Sequence, residues 1–188
     1  LDPEFGASPQ APLLHPDRES NVFCHYRIRS GDTDAAFSKA DVIVEGVYET
    51  PAQEHAYLQP EAGIAYIDEE ERVTVVVAGQ WTHEDQEQIA HALNLPLEAI
   101  RIVYPAIGGA FGGREDMSIQ IVLALASYRL KEKGINRPVK IIWSREESMI
   151  GHHNRHPYII KNRWGATKDG ILTGAEIEII ADGGAYIY

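Results

Sequence analysis

The chain has 188 residues, 44 % hydrophobic and 24 % charged, which is enough apolar material for a folded core in one domain or one and a half. A net charge of −11 argues against nucleic acid or an anionic membrane surface as partner. The single cysteine, Cys24, excludes an intrachain disulfide and a cysteine-based zinc site, and points to a reducing, cytoplasmic setting.

Residues 1–10 carry no basic n-region and no apolar h-region, so they are not a signal peptide. Asp2-Pro3-Glu4-Phe5 reads as translated cloning polylinker, and this vector-derived tail is set aside. Residues 11–40 read as a lead-in or linker segment, extended over Asn21–Arg29 and closing in a short helix over 31–40 with Asp32 as N-cap. A valine-rich strand is predicted over 41–50, and a hairpin over 62–79 around an acidic turn. Thr82, with Asp85 three residues on, is placed to cap a helix that runs to Leu93 and stops near Pro96. Residues 98–106 form the next strand.

The clearest helix is predicted over 115–134. It is apolar nearly all round in its middle and is expected to be buried, with Glu115 and Asp116 at its positive end and Gly134 just past its last turn. A strand over 137–144 leads to a short helix over 144–151 with a Ser144–Glu147 capping box. A long hairpin over 157–182 turns at Lys168-Asp169-Gly170. The sum is an α+β fold, a mixed β-sheet with hairpins and at least two helices. The chain stops in a strand-like run with no polar tail, so it is expected to be a piece of a longer one.

Residues 108–115, Gly-Gly-Ala-Phe-Gly-Gly-Arg-Glu, stand out. Ala110 breaks the dinucleotide fingerprint, and Arg114-Glu115 stand where a P-loop needs Lys and Ser or Thr. Two readings remain. Such a turn lets a ligand approach the backbone and aims N–H groups at anionic or oxo groups, or it is a tight turn against a neighbouring strand. Glu115 is either a first-turn carboxylate or a group that orients a substrate. Gln80, at the end of a strand, is either a solvated amide or a ligand-facing one. His152, His153 and His156 lack the glutamate of a zinc-protease motif, and Pro157 argues against a continuing helix. His83 and His91 are too far apart on one helix to share a metal, and Cys24 lacks the surroundings of a reactive thiol.

Together, the glycine motif ending in Glu115, with Gln80 lying 35 residues before that glutamate, resembles the molybdenum-binding large subunit of the xanthine dehydrogenase/aldehyde oxidase family. The stretches QEHAYLQPEAGIAY (53–66), SREESM and RHP (155–157) agree in order, and the likeness covers nearly all of residues 21–188. The resemblance implies that residues 41–188 are the first part of a molybdopterin-binding domain. It implies an oxidoreductase with one molybdenum held through molybdopterin, so that no residue here ligates the metal directly. Such enzymes hydroxylate an electron-poor carbon with oxygen from water, and their electrons leave through iron–sulfur centres and FAD in other domains or subunits.

Gln80 matches the glutamine whose amide bonds the metal's oxo ligand, and Phe111 and Gly112 match backbone positions bordering the cofactor. Glu115 matches the carboxylate that orients purines, which favours a purine or similar N-heterocycle as substrate. Ala110 and Arg114 replace the Gly and Lys that often occupy these positions. By the same resemblance the catalytic residues lie outside this chain. The isolated chain is therefore expected to be inactive and to bind no cofactor, its partners being the rest of the large subunit and the iron–sulfur and flavin subunits. An aldehyde oxidase-like subunit is the alternative within the class. Outside it, the alternative is a non-catalytic relative or interaction module.

Overall fold

The structure is a computed structural model and describes residues 3–184. In chain order the elements are α1 (Pro3–Gly6), α2 (Thr33–Ser38), β1 (Val42–Thr50), β2 (Ala62–Ile67), β3 (Val73–Val77), α3 (Thr82–Leu93), β4 (Ile100–Val103), α4 (Gln120–Glu132), β5 (Val139–Ile142), α5 (Arg145–Gly151), β6 (Tyr158–Ala166) and β7 (Leu172–Ala181). A 3₁₀ turn at Leu97–Ala99 precedes β4. The α+β expectation holds. The chain divides into two compact units, one made of residues 1–53 with 156–188 and the other of residues 54–155.

In the first unit, β1, β6 and β7 form an antiparallel sheet in the order β1-β6-β7. The β6–β7 hairpin turns where the sequence places it, with Gly170 at φ +82°. Helix α2 lies against β7 because Gly174 leaves room: a Cβ there would stand 2.8 Å from Ala36 Cβ. Asp32 caps α2 by accepting from the Ala35 N–H. Phe37 is buried under the Arg163 guanidinium, 4.2 Å from the ring centre.

The second unit holds a four-stranded sheet in the order β4-β3-β2-β5. Strands β2 and β3 form the expected hairpin, β5 pairs antiparallel with β2, and β4 runs parallel to β3 after the α3 crossover. The core joins Val73, Val75 and Val77 of β3 to Ile89 of α3, Ile100 of β4 and Leu123 of α4. Gly63 of β2 lets α4 close in, since a Cβ there would meet Leu123 at 2.7 Å.

Three local expectations change. The N-cap of α3 is Trp81, with no side-chain bond, and not Thr82; the helix ends with Asn94 in the left-handed region at φ +51°. Helix α4 starts at Gln120, not at Glu115. Residues 115–119 are used in crossing from the glycine loop, and the Gln120 side chain reaches back to accept from the Ser118 N–H at 2.8 Å. Finally, only one face of α4 is buried. The sheet covers Leu123 and Ala124, while Val122 and Leu125 are 56 % and 41 % exposed. Its C-terminal end follows the expected pattern, with Gly134 at φ +72° and the Ile135 N–H donating to the Leu130 carbonyl.

Candidate functional site

The residues singled out in the sequence that meet in space all lie within residues 54–155. Strand β3 is followed by Ala78-Gly79-Gln80, and the glycine loop returns beside this segment. The Gln80 N–H donates to the Arg114 carbonyl at 3.0 Å, and the Arg114 N–H donates to Gln80 Oε1 at 3.1 Å. This pair brings together residues 34 apart in sequence. It also fixes the amide: with Oε1 turned to the loop, the NH₂ end of the exposed Gln80 side chain is the donor offered outward.

The glycines have separate reasons. A Cβ on Gly108 would stand 2.6 Å from Gln59 Cβ, and one on Gly113 would stand 2.8 Å from His55 Cγ, so both lie tightly against residues 55–59. Gly109 combines a close approach, 2.9 Å to Tyr57 Cβ, with φ +103°. Gly112 is required only by its φ of +88°, since nothing comes nearer than 3.8 Å. The tight-turn reading therefore accounts for most of the glycines. It leaves Phe111, a non-glycine residue at φ +54° whose surface is 77 % exposed. Backbone strain of this kind persists only where the surroundings impose it, and it clusters at functional sites. Among the described residues, no acceptor meets the N–H groups of Phe111 or Gly112.

Glu115 follows the turn, half-buried, with no hydrogen bond or ion pair among the described residues. The start of α4 at Gln120 removes the helix dipole as the reason for its charge. Its charge acts weakly on His55. Burial and His153 push the His55 pKa down, the Glu54 carboxylate opposes them, Arg155 adds to the lowering, and Glu115 opposes.

The largest feature of the site is one the sequence reading missed. Beneath the loop lies a buried polar cluster centred on Glu61, 1 % exposed. Glu61 Oε1 accepts from the Tyr57 hydroxyl at 2.6 Å and lies 2.8 Å from His152 Nε2 and 3.1 Å from Arg114 Nη1. Its Oε2 accepts from the Ser148 hydroxyl at 2.6 Å. Arg114 points inward, 3 % exposed, with its guanidinium 4.1 Å from the Tyr57 ring centre. Its Nε donates to the Gly109 carbonyl at 3.1 Å, and its Nη2 donates to the Gln59 carbonyl. Burial lowers the Arg114 pKa and Glu61 opposes that shift. His152 stays neutral, its pKa brought down to about 4 by burial first and by His153 second, with Glu54 opposing.

The cluster was hidden because its members are far apart in sequence, Tyr57 and His152 by 95 residues. The usable signal was the pair of stretches 53–66 and SREESM already singled out, which hold Tyr57, Glu61 and Ser148. His153 lies across the loop, its Nε2 3.4 Å from the Gly112 carbonyl, and its ring stacks on that of His152 at 5.8 Å. Among the described residues, no group of His, Cys, Asp and Glu side chains is arranged to hold a metal ion, and no helix is long and apolar enough to cross a membrane. Cys24 is exposed.

Comparison with known proteins identifies the family. A family model for the molybdopterin cofactor-binding domain matches residues 14–188. The chain is 40 % identical over 176 residues to the nicotinate dehydrogenase large molybdopterin subunit of Eubacterium barkeri, across 94 % of this chain and 40 % of that protein. It is 34 % identical over 159 residues to a xanthine dehydrogenase of Dictyostelium discoideum, across 84 % of this chain and 11 % of that protein. In fold it matches the aldehyde oxidoreductase of Desulfovibrio gigas with a TM-score of 0.79 at 22 % identity, across 94 % of this chain and 19 % of that one. The chain thus spans 40 % or less of these relatives.

Proposed function

The chain belongs to the molybdopterin cofactor-binding domain family, and on that premise we propose that it supplies one wall of the molybdenum site of a larger hydroxylase acting on a purine or similar N-heterocycle. The donor set fits such a group. The outward NH₂ of Gln80 and the unclaimed N–H groups of Phe111 and Gly112 are neutral donors, suited to the oxygen atoms of an oxo-metal and pterin cofactor. Gln80, Phe111 and Gly112 would hold it. When bound, it would supply two-electron oxidation of a substrate carbon. This chain's part is to bind and orient.

The observation that carries the proposal is the paired hydrogen bonding of Gln80 with Arg114, which sets the strand-end amide beside the left-handed turn at Phe111–Gly112. Glu115, just past that turn and bonded to no described residue, is assigned to the substrate: its carboxylate accepts from a ring N–H and fixes which carbon faces the cofactor. Similarity to a nicotinate dehydrogenase and a xanthine dehydrogenase supports an N-heterocycle, since the substrates in both names are nitrogen-containing rings.

The test uses the whole enzyme that carries this chain. Glu115→Ala is expected to lower kcat/KM for hypoxanthine by at least about 100-fold, because a site built to bond a substrate N–H loses that discrimination. Turnover of a simple aldehyde should be little changed. Equal loss on both substrates removes the orienting role from Glu115.

A further inference from the structure

We propose that Arg114 is the positioning residue of this site: clamped from below by Glu61 and Tyr57, it sets both the Phe111–Gly112 turn and the direction of the Gln80 amide. Arg114 touches no ligand-facing surface, being 3 % exposed, so it acts through its neighbours. Its guanidinium ties together three points of the chain. Nε holds the Gly109 carbonyl at the start of the turn, Nη2 holds the Gln59 carbonyl of the segment beneath, and Nη1 meets Glu61 on β2's approach. Its backbone carries the consequence outward, accepting from the Gln80 N–H and donating to Gln80 Oε1.

Glu61 is in turn over-determined. Tyr57 and Ser148 each donate to it and His152 Nε2 lies 2.8 Å from its Oε1, so the carboxylate that meets the guanidinium is itself held in place. A planar fork with donors fixed in direction suits three divergent acceptors, and the Tyr57 ring lies against its face. Lysine offers its donors from one point. It keeps the Glu61 partner and loses the hold on one or both carbonyls.

The proposal rests on the reading that Gln80 and the turn face the cofactor, and the test separates the two. In the whole enzyme, Arg114→Met strands the buried Glu61 without its cation and endangers folding, so it is paired with the double variant Arg114→Met/Glu61→Gln, which removes the charge together with the clamp. Backbone hydrogen exchange is followed at residues 109–115 alongside turnover. The double variant is expected to exchange at least about tenfold faster at the Gly113 and Arg114 N–H groups. It should lose about 100-fold in kcat on every substrate with KM little changed, as expected for misplacement without loss of substrate contacts. Arg114→Lys, which keeps the Glu61 partner but loses one or both carbonyls, should fall between the wild type and the double variant in both. Unchanged exchange in the double variant overturns the positioning role, whatever the activity. Faster exchange with unchanged turnover leaves the clamp in place and instead overturns the reading that this loop borders the cofactor.

Discussion

Gly113 and His55 stand so close that a Cβ on the glycine would lie 2.8 Å from both Cγ and Nδ1 of the imidazole. Gly112, its neighbour, has nothing within 3.8 Å but holds φ at +88°. Alanine at the two positions therefore fails for different reasons. Gly113→Ala is expected to destabilise by about 1–3 kcal/mol through overpacking and to move the His55 ring. Gly112→Ala should cost about 1–2 kcal/mol through backbone strain and leave that ring in place. Thermal unfolding gives the energies, and the imidazole NMR resonances of His55 tell the mechanisms apart.

His152 gives the stability a pH dependence. Burial and His153 bring its folded pKa from 6.5 to about 4, so it stays neutral where the unfolded chain is already protonated. Its contribution is complete above about pH 6.5 and is lost as pH falls towards 4, a swing on the order of 3 kcal/mol. His152→Gln should flatten the unfolding midpoint across that window. Asp85 works in the opposite sense. Burial raises its pKa, so its contribution is present below 3.8 and is lost as pH rises through the folded value. Asp85→Asn should therefore gain stability relative to the wild type at neutral pH.

Ser144 and Glu147 close a reciprocal capping box at the start of α5, the Glu147 N–H donating to the Ser144 hydroxyl and the Ser144 N–H to the Glu147 carboxylate. Ser144→Ala should cost about 1 kcal/mol. Hydrogen exchange should quicken over Arg145–Gly151, and a change spread evenly over the chain would point to a different cause.

Gln80 is exposed, and its amide donor end is bonded to no described residue. In the whole enzyme, Gln80→Ala should destabilise by about 1 kcal/mol, because the Arg114 N–H loses its acceptor, and lower kcat by about 100-fold on purine and aldehyde alike, as removal of one preorganised donor does. Selective loss on purines would transfer the orienting role from Glu115 to Gln80.

Features written within a few residues were legible in advance. The Asp32 cap, the Ser144 box, Gly134 after α4 and the Gly170 turn each depend on neighbours in the chain, and each stands where the sequence put it. The start of α4 was misjudged because acidic Glu115 and Asp116 suit a helix start, while the true start depends on the Gln120 side chain reaching back to Ser118. Trp81 caps α3 in place of Thr82 without any side-chain bond, so no residue preference marked it. Within the site, the proximity of Gln80 to the glycine loop was expected from family resemblance. The Glu61 cluster was not, because its members come from β2's approach, the loop and α5, and a histidine, a tyrosine and a serine in separate segments carry no shared periodicity. Arg114 looked like a mild exchange for lysine until its three acceptors were in view.

The first unit is discontinuous, and the ribosome delivers its halves at different times. Thr50 of β1 must wait for Tyr158 of β6, 108 residues later, before its backbone can pair. At about 5–20 residues per second that interval is roughly 5–20 s. The residues of the second unit are all made within it. Throughout that time the stretch Val42-Ile-Val-Glu-Gly-Val is a nascent β-branched strand with no partner in its own chain. Neighbouring nascent copies on the same message offer the same edge, so the interval of synthesis is one in which this strand is exposed to mispairing between copies.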